Sequence, residues 1–167
     1  MRRQVGCKNG RRAALGFTFI ELMMSLAILG VLAAVAVPMA QLVSQRGKEQ
    51  DLRLALSELR QALDAYKRAS EQGRIERRVG ESGYPKALHD LVQGVPDQRS
   101  PSRQPIYFLR ALPRDPMHPD VQLPAAETWA LRSYASPPDD PQPGDDVFDV
   151  HSQSERTGLN GVPYAQW

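Results

Sequence analysis

Glu21 is the one charged residue in an otherwise apolar run from Phe17 to Val43, FTFIELMMSLAILGVLAAVAVPMAQLV. A carboxylate at the centre of a membrane helix costs roughly 2.5–3.5 kcal/mol on insertion scales, and less near an end. A plain anchor has no use for such a charge, so Glu21 points to a pairing function. Other residue types that could do chemistry are sparse. Cys7 is the only cysteine, which excludes an internal disulfide framework and a cysteine-built zinc site. His89 and His118 stand isolated and His151 falls on a predicted strand, so all three read as surface or structural residues. There is no G-x-S-x-G, phosphate loop, H-E-x-x-H or convincing carboxylate pair, and no enzymatic activity is expected.

The segment that must position Glu21 is long enough to cross a bilayer. Leu22 to Val43 is 22 uncharged residues, about 33 Å of helix against a hydrocarbon core of about 30 Å. Ahead of it, the first 16 residues carry Arg2, Arg3, Lys8, Arg11 and Arg12 and no acid. Basic residues before a span stay in the cytoplasm, so the amino-terminal end is predicted inside and the rest outside. Ala34-Val35-Ala36 resembles a signal-peptidase site, but the apolar run is too long for a signal peptide and contains Glu21. Beyond the span the composition is that of a globular domain. The whole chain carries a net charge of only +2, which gives no case for nucleic-acid binding. Of its 14 prolines, 13 lie at or beyond Pro85, so the second half is heavily punctuated.

After Val43 the pattern becomes amphipathic. Leu52, Ala55, Leu56, Leu59, Ala62, Leu63, Tyr66 and Ala69 recur at helical spacing. Glu49, Arg53, Glu58, Arg60, Asp64, Lys67 and Arg68 are placed on the opposite, polar side. One helix is therefore predicted from Phe17 to about Gln72, ending at Gly73. Gly30 and Pro38 loosen it locally, and Pro38 is a candidate kink. A polar loop, Gly73 to Gly83, follows, and then a short helix over Tyr84–Val92 with Pro85 in its first turn. Strands are predicted over Ile106–Leu112, Trp129–Ala135 and Val147–Ser152. The result is an α+β domain with a small antiparallel sheet of about three strands packed on the long helix.

Gly16-Phe17-Thr18-Phe19-Ile20-Glu21-Leu22, after a short basic leader, resembles the class III signal of type IV pilins and of type II secretion pseudopilins. The resemblance implies that a prepilin peptidase cuts between Gly16 and Phe17 and methylates Phe17. It also implies that Glu21, fifth in the mature chain, is the residue of subunit assembly. Pro38 falls where the family has a helix-kinking proline. The cut leaves the membrane helix attached. A free amine at Phe17, with an ordinary pKa of about 7.7–8.0, can then pair with Glu21 of a neighbouring subunit. Both charges would be buried among apolar helices, where an unpaired charge is expensive, so the pairing sets register. The Tyr84-Pro85…Leu88…Leu91-Val92 and Leu112-Pro113-Arg114-Asp115-Pro116 segments resemble the major, G-type, pseudopilins. The family's next residues are replaced by Met117-His118-Pro119-Asp120, which marks a divergent member.

The resemblance divides the chain into a leader at 1–16, a transmembrane and assembly helix at 17–43 and a periplasmic domain at 44–167. It implies a structural subunit, assembled with copies of itself and with minor pseudopilins into a helical fibre in the periplasm of a Gram-negative bacterium. An inner-membrane platform carries out the assembly, and the fibre drives export across the outer membrane. A minor type IV pilin for adhesion or DNA uptake, and an anchored periplasmic binding domain that never assembles, remain the alternatives. G-type pseudopilins also hold calcium in a carboxy-terminal loop. Here Asp145, Asp146, Asp149 and Glu155 supply oxygen donors for that role, but Arg156 opposes a cation and the family's aspartate-rich loop is missing. A hydrogen-bonded loop pinned by Asn160-Gly161 and Trp167, without a metal, is the favoured reading.

Overall fold

A computed structural model describes residues 17–167. The chain divides between Leu42 and Val43 into two units. The first helix, α1 (Phe19–Glu71), is a single 53-residue element. It passes through Gly30 and Pro38 without interruption, although Pro38 has no N–H to give to the preceding turn. The helix ends as its sequence requires. Gly73 sits at φ +69°, its N–H reaches the carbonyl of Ser70, and the N–H of Arg74 reaches that of Ala69, both at 3.0 Å. That pair of bonds closes the last turn, and it needs a left-handed residue that glycine supplies without strain.

In the second unit the apolar stripe of α1 is core. Leu52, Ala55, Leu56, Leu59, Ala62, Leu63 and Ala69 are buried, with Leu52 and Leu59 at 0% exposure. Each fully buried leucine is worth roughly 2 kcal/mol of transfer free energy. Leu88, Leu91, Leu109, Met117, Trp129, Val147, Val150 and Tyr164 complete the cluster, and Tyr66 packs against it from the side. The remaining regular elements are short: α2 (Asp90–Gln93), β1 (Val95–Pro96), β2 (Pro105–Ile106), β3 (Trp129–Arg132) and β4 (Asp149–Ser152). They form two separate two-stranded antiparallel sheets, β1 with β2 and β3 with β4. In the second sheet Trp129 faces Ser152 and Arg132 faces Asp149.

The architecture is the predicted α+β arrangement, but its β structure differs from the three-stranded expectation. Of Ile106–Leu112 only Ile106 enters a ladder, opposite Val95. The N–H groups of Phe108 and Leu109 instead both donate to the carbonyl of Leu91, at 3.0 and 2.9 Å. The open end of the short α2 supplies that acceptor. The apolarity of the segment reports burial of Leu109 and the packing of Phe108 on Tyr66 at 5.2 Å, not strand pairing. The strand over Trp129–Ala135 stops at Arg132, because Tyr134 N–H is taken by the Asp146 carboxylate at 2.8 Å. Likewise Val147 N–H bonds to Pro85 before β4 begins. The predicted Tyr84–Val92 helix shrinks to Asp90–Gln93. Ahead of it, the Asp90 carboxylate gathers the N–H groups of Lys86 and Ala87 into a turn, each at 3.1 Å.

Candidate assembly site

The start of α1 is built by Thr18. Its hydroxyl accepts the N–H of Glu21 at 3.3 Å and its carbonyl accepts the N–H of Leu22 at 3.1 Å. Thr18 is thus the amino-terminal cap, satisfying donors that an open helix end leaves orphaned. Glu21 occupies the third helical position, the place a capping box reserves for a carboxylate, where the positive end of the helix dipole favours it. Among the described residues no hydrogen bond reaches the Glu21 carboxylate; only its main-chain groups are used, its carbonyl accepting the hydroxyl of Ser25 at 2.8 Å. Phe17 is 80% exposed. Gly16 lies outside the described residues.

Downstream of this cap the helix presents apolar side chains that none of the described residues covers. Every residue from Phe17 to Ser44 is exposed, and the most apolar 18-residue window has a mean hydropathy of 2.4 with none of it buried. Among the described residues, a Cβ at Gly30 would meet nothing within 4 Å beyond its chain neighbours and the helix's own nearby backbone. Length and composition suit a single membrane span.

The second site to place is the carboxy-terminal loop with its four candidate calcium donors. The structure does not bring them together. Asp146 is spent on Tyr134 N–H, and Asp149 receives the Arg60 guanidinium at 2.8 Å and the Val150 N–H at 2.8 Å. Among the described residues no three His, Cys, Asp or Glu side chains converge as a metal centre requires. The loop is held by hydrogen bonds instead. Gly158 N–H bonds to Val162 and Gly161 N–H to Gly158, both at 2.9 Å, and the Trp167 indole donates to the Val162 carbonyl at 3.2 Å. Gly158 is required there by space, since a Cβ would lie 2.6 Å from the Trp167 ring.

The residue that anchors this loop to α1 is Glu49, which the amphipathic pattern had placed on the polar side. It is buried at 7% exposure. Its Oε1 accepts the N–H of Leu159 at 2.8 Å, the hydroxyl of Tyr164 at 2.9 Å and the amide of Gln45 at 3.2 Å. Burial by itself pushes the Glu49 carboxyl up. The hydrogen bonds from Leu159, Tyr164 and Gln45, with the Arg53 charge nearby, outweigh that and hold it below its ordinary value of 4.5. Burial raises the Tyr164 phenol; the hydrogen bond from Gln45 opposes it, and the hydrogen bond to Glu49 and the Glu49 charge add to the rise. A second buried carboxylate, Asp115, lies in the Leu112–Pro116 turn. It accepts Met117 N–H at 2.7 Å and the Ser152 hydroxyl at 2.5 Å, and so ties that turn to β4.

Two of these residues had a signal in the sequence that the patterning missed. Thr18-Phe19-Ile20-Glu21 is a capping-box spacing ahead of an apolar run. Glu49 stands 3, 7, 10 and 14 residues before Leu52, Leu56, Leu59 and Leu63. Its helical register is therefore that of the buried stripe.

Comparison with known proteins bears on both ends of this description. Residues 11–37 match the prokaryotic N-terminal methylation motif, which spans Gly16, Phe17, Thr18 and Glu21. That motif covers the capped start of α1, and a long apolar helix followed by small antiparallel sheets is a pilin-like α+β architecture. The chain is also similar to type II secretion system core protein G of two bacteria. It is 32% identical over 112 residues to that protein from Pectobacterium carotovorum subsp. carotovorum, covering 65% of each chain. The match to that of Klebsiella michiganensis is 28% identical over 117 residues, covering 68% of this chain and 75% of the relative. The matched stretch thus spans just under two thirds of the Pectobacterium relative's length. No solved structure matches the chain.

Proposed function

We propose that this chain is a structural subunit of a type II secretion pseudopilus. The observation that carries the reading is the contrast at α1: an exposed apolar helix inside the methylation motif, with Glu21 as its single charge one turn from its capped start. In this reading prepilin peptidase cuts between Gly16 and Phe17, removing residues 1–16 and methylating Phe17. Residues 17–43 cross the inner membrane with the cut end in the cytoplasm, and residues 44–167 fold in the periplasm. The basic residues from Arg2 to Arg12 support that orientation. An assembly platform then draws the subunit into a fibre of identical copies, with minor pseudopilins, that drives protein export across the outer membrane.

The mechanism is electrostatic and mechanical. A pilin-type cut leaves an ammonium group at Phe17, four residues ahead of Glu21. In a bundle of such helices that amine meets the Glu21 carboxylate of the neighbouring copy. The two charges leave water together, and any register that separates them carries an uncompensated buried charge, at a cost of about 3–5 kcal/mol. Pro38 removes one backbone bond from the helix, which lets the chain bend as it leaves the membrane. The amino-terminal sequence of the membrane-bound protein tests the processing. A first residue of methylated Phe17 is expected, and a start at Val37, after the Ala34-Val35-Ala36 triplet, would overturn the reading.

A further inference from the structure

Calcium takes six to eight oxygen ligands at 2.3–2.6 Å, mixing carboxylates with main-chain carbonyls. The four acids that the family resemblance puts forward do not fit such a centre, because among the described residues no three of them converge and two already hold protein donors. What occupies the oxygen-rich junction between β4 and the carboxy-terminal segment is a protein cation, Arg60 of α1. Its Nε donates to Asp149 Oδ1 at 2.8 Å, and its Nη2 reaches Asp149 Oδ2 at 3.5 Å. The same Nη2 donates to the main-chain oxygens of Val150 at 3.3 Å and Trp167 at 2.7 Å. One carboxylate and two main-chain oxygens, from two separate segments, thus converge on a single positive charge. These are the donor classes that a calcium ion draws together.

We propose that Arg60 is the resident cation of the carboxy-terminal segment, tying β4 to Trp167 so that the segment stays seated without a metal. The neighbouring contacts support this role. The Arg53 guanidinium lies 4.5 Å over the Trp167 ring, so a second cation, about two turns earlier on α1, holds the same residue. Glu49, one turn further back, holds Leu159 and Tyr164. One side of α1, over about three turns, therefore presents a carboxylate and two guanidinium groups to the carboxy-terminal segment. A guanidinium suits the position because its planar fork can reach several oxygens at once. With a fixed charge already there, a divalent ion would face repulsion as well as a shortage of free donors.

The experiment uses the full chain in detergent and does not depend on fibre assembly, so it stands or falls apart from the secretion reading. Thermal unfolding is followed in millimolar calcium chloride and in EDTA, with calcium binding measured by calorimetric titration. The same midpoint in both buffers and no stoichiometric binding are expected. Arg60→Met should lower the midpoint by about 2–4 °C, the shift of roughly one kcal/mol in a domain of this size, and speed proteolysis within residues 153–163. Arg60→Lys, which keeps the charge and loses the fork, should fall between. Binding of one calcium per chain, or a midpoint that EDTA lowers, overturns the proposal. So does an Arg60→Met chain with unchanged melting and unchanged proteolysis. Should Arg60→Met fail to fold, the calcium comparison on the unaltered chain decides.

Discussion

The two halves of α1 use the same helix in opposite ways. From Phe19 to Leu42 the side chains other than Glu21, Ser25 and Gln41 are apolar, and all are exposed. From Val43 to Glu71 apolar residues form a stripe, and that stripe is buried by the chain's own loops and strands. Each half carries one carboxylate out of keeping with its surroundings. Glu49 is buried and has three donors, two of them more than a hundred residues away in sequence. Glu21 has none within the described residues and sits on an uncovered face. A helix whose partners come from its own chain satisfies its polar groups internally, whereas a helix left apolar all round must find lipid or other helices. The difference teaches where to look for assembly: in the half that folding leaves unfinished.

The comparison breaks most sharply at Glu21. Glu21→Gln is expected to abolish fibre formation and secretion at matched protein level, while leader cleavage and membrane insertion persist. Normal fibres in that strain would return Glu21 to a capping role alone. The same substitution should leave the melting of the domain from Val43 onward unchanged, because the core of that unit is built from its own residues. Next in size is Leu59→Ala, which opens a cavity at a side chain with no exposure. A loss of about 2–5 kcal/mol is expected by denaturant titration. A loss below 1 kcal/mol would mean that the stripe is not the core.

Glu49→Ala should cost about 1–3 kcal/mol, since the Leu159 N–H and the Tyr164 hydroxyl lose their acceptor. Glu49 also sets a pH dependence. Its folded-state pKa lies below the ordinary 4.5, so the stabilisation is complete above about pH 5 and is lost as pH falls through the depressed value. Acid titration of stability should therefore be flatter in Glu49→Gln than in the unaltered chain. Equal slopes would show that the carboxylate is not held as described. The smallest effect is expected for Arg53→Ala, which removes the cation over Trp167. About 0.5 kcal/mol or slightly more is the scale of such a contact at a partly exposed site, and a melting curve of a degree or two lower would record it.

Amino-acid pattern alone determined the membrane-length helix, the motif around Gly16 and Phe17, the exceptional charge at Glu21, the stripe from Leu52 to Ala69 and the stop at Gly73. These are local properties. Periodicity, charge run and glycine punctuation act within a few residues, so one dimension suffices to read them. Tertiary structure decided the rest. It shortened the strands, because Asp146, Leu91 and Pro85 took N–H groups that a longer ladder would have used. It turned Arg60 from a solvent-facing charge into a tie between β4 and Trp167, and among the described residues it brought no three of the candidate metal ligands together. Each of these outcomes depends on which distant donor reaches an acceptor first in space. A buried polar group must be paired by some partner, and nothing in the local pattern says that the partner stands a hundred residues away.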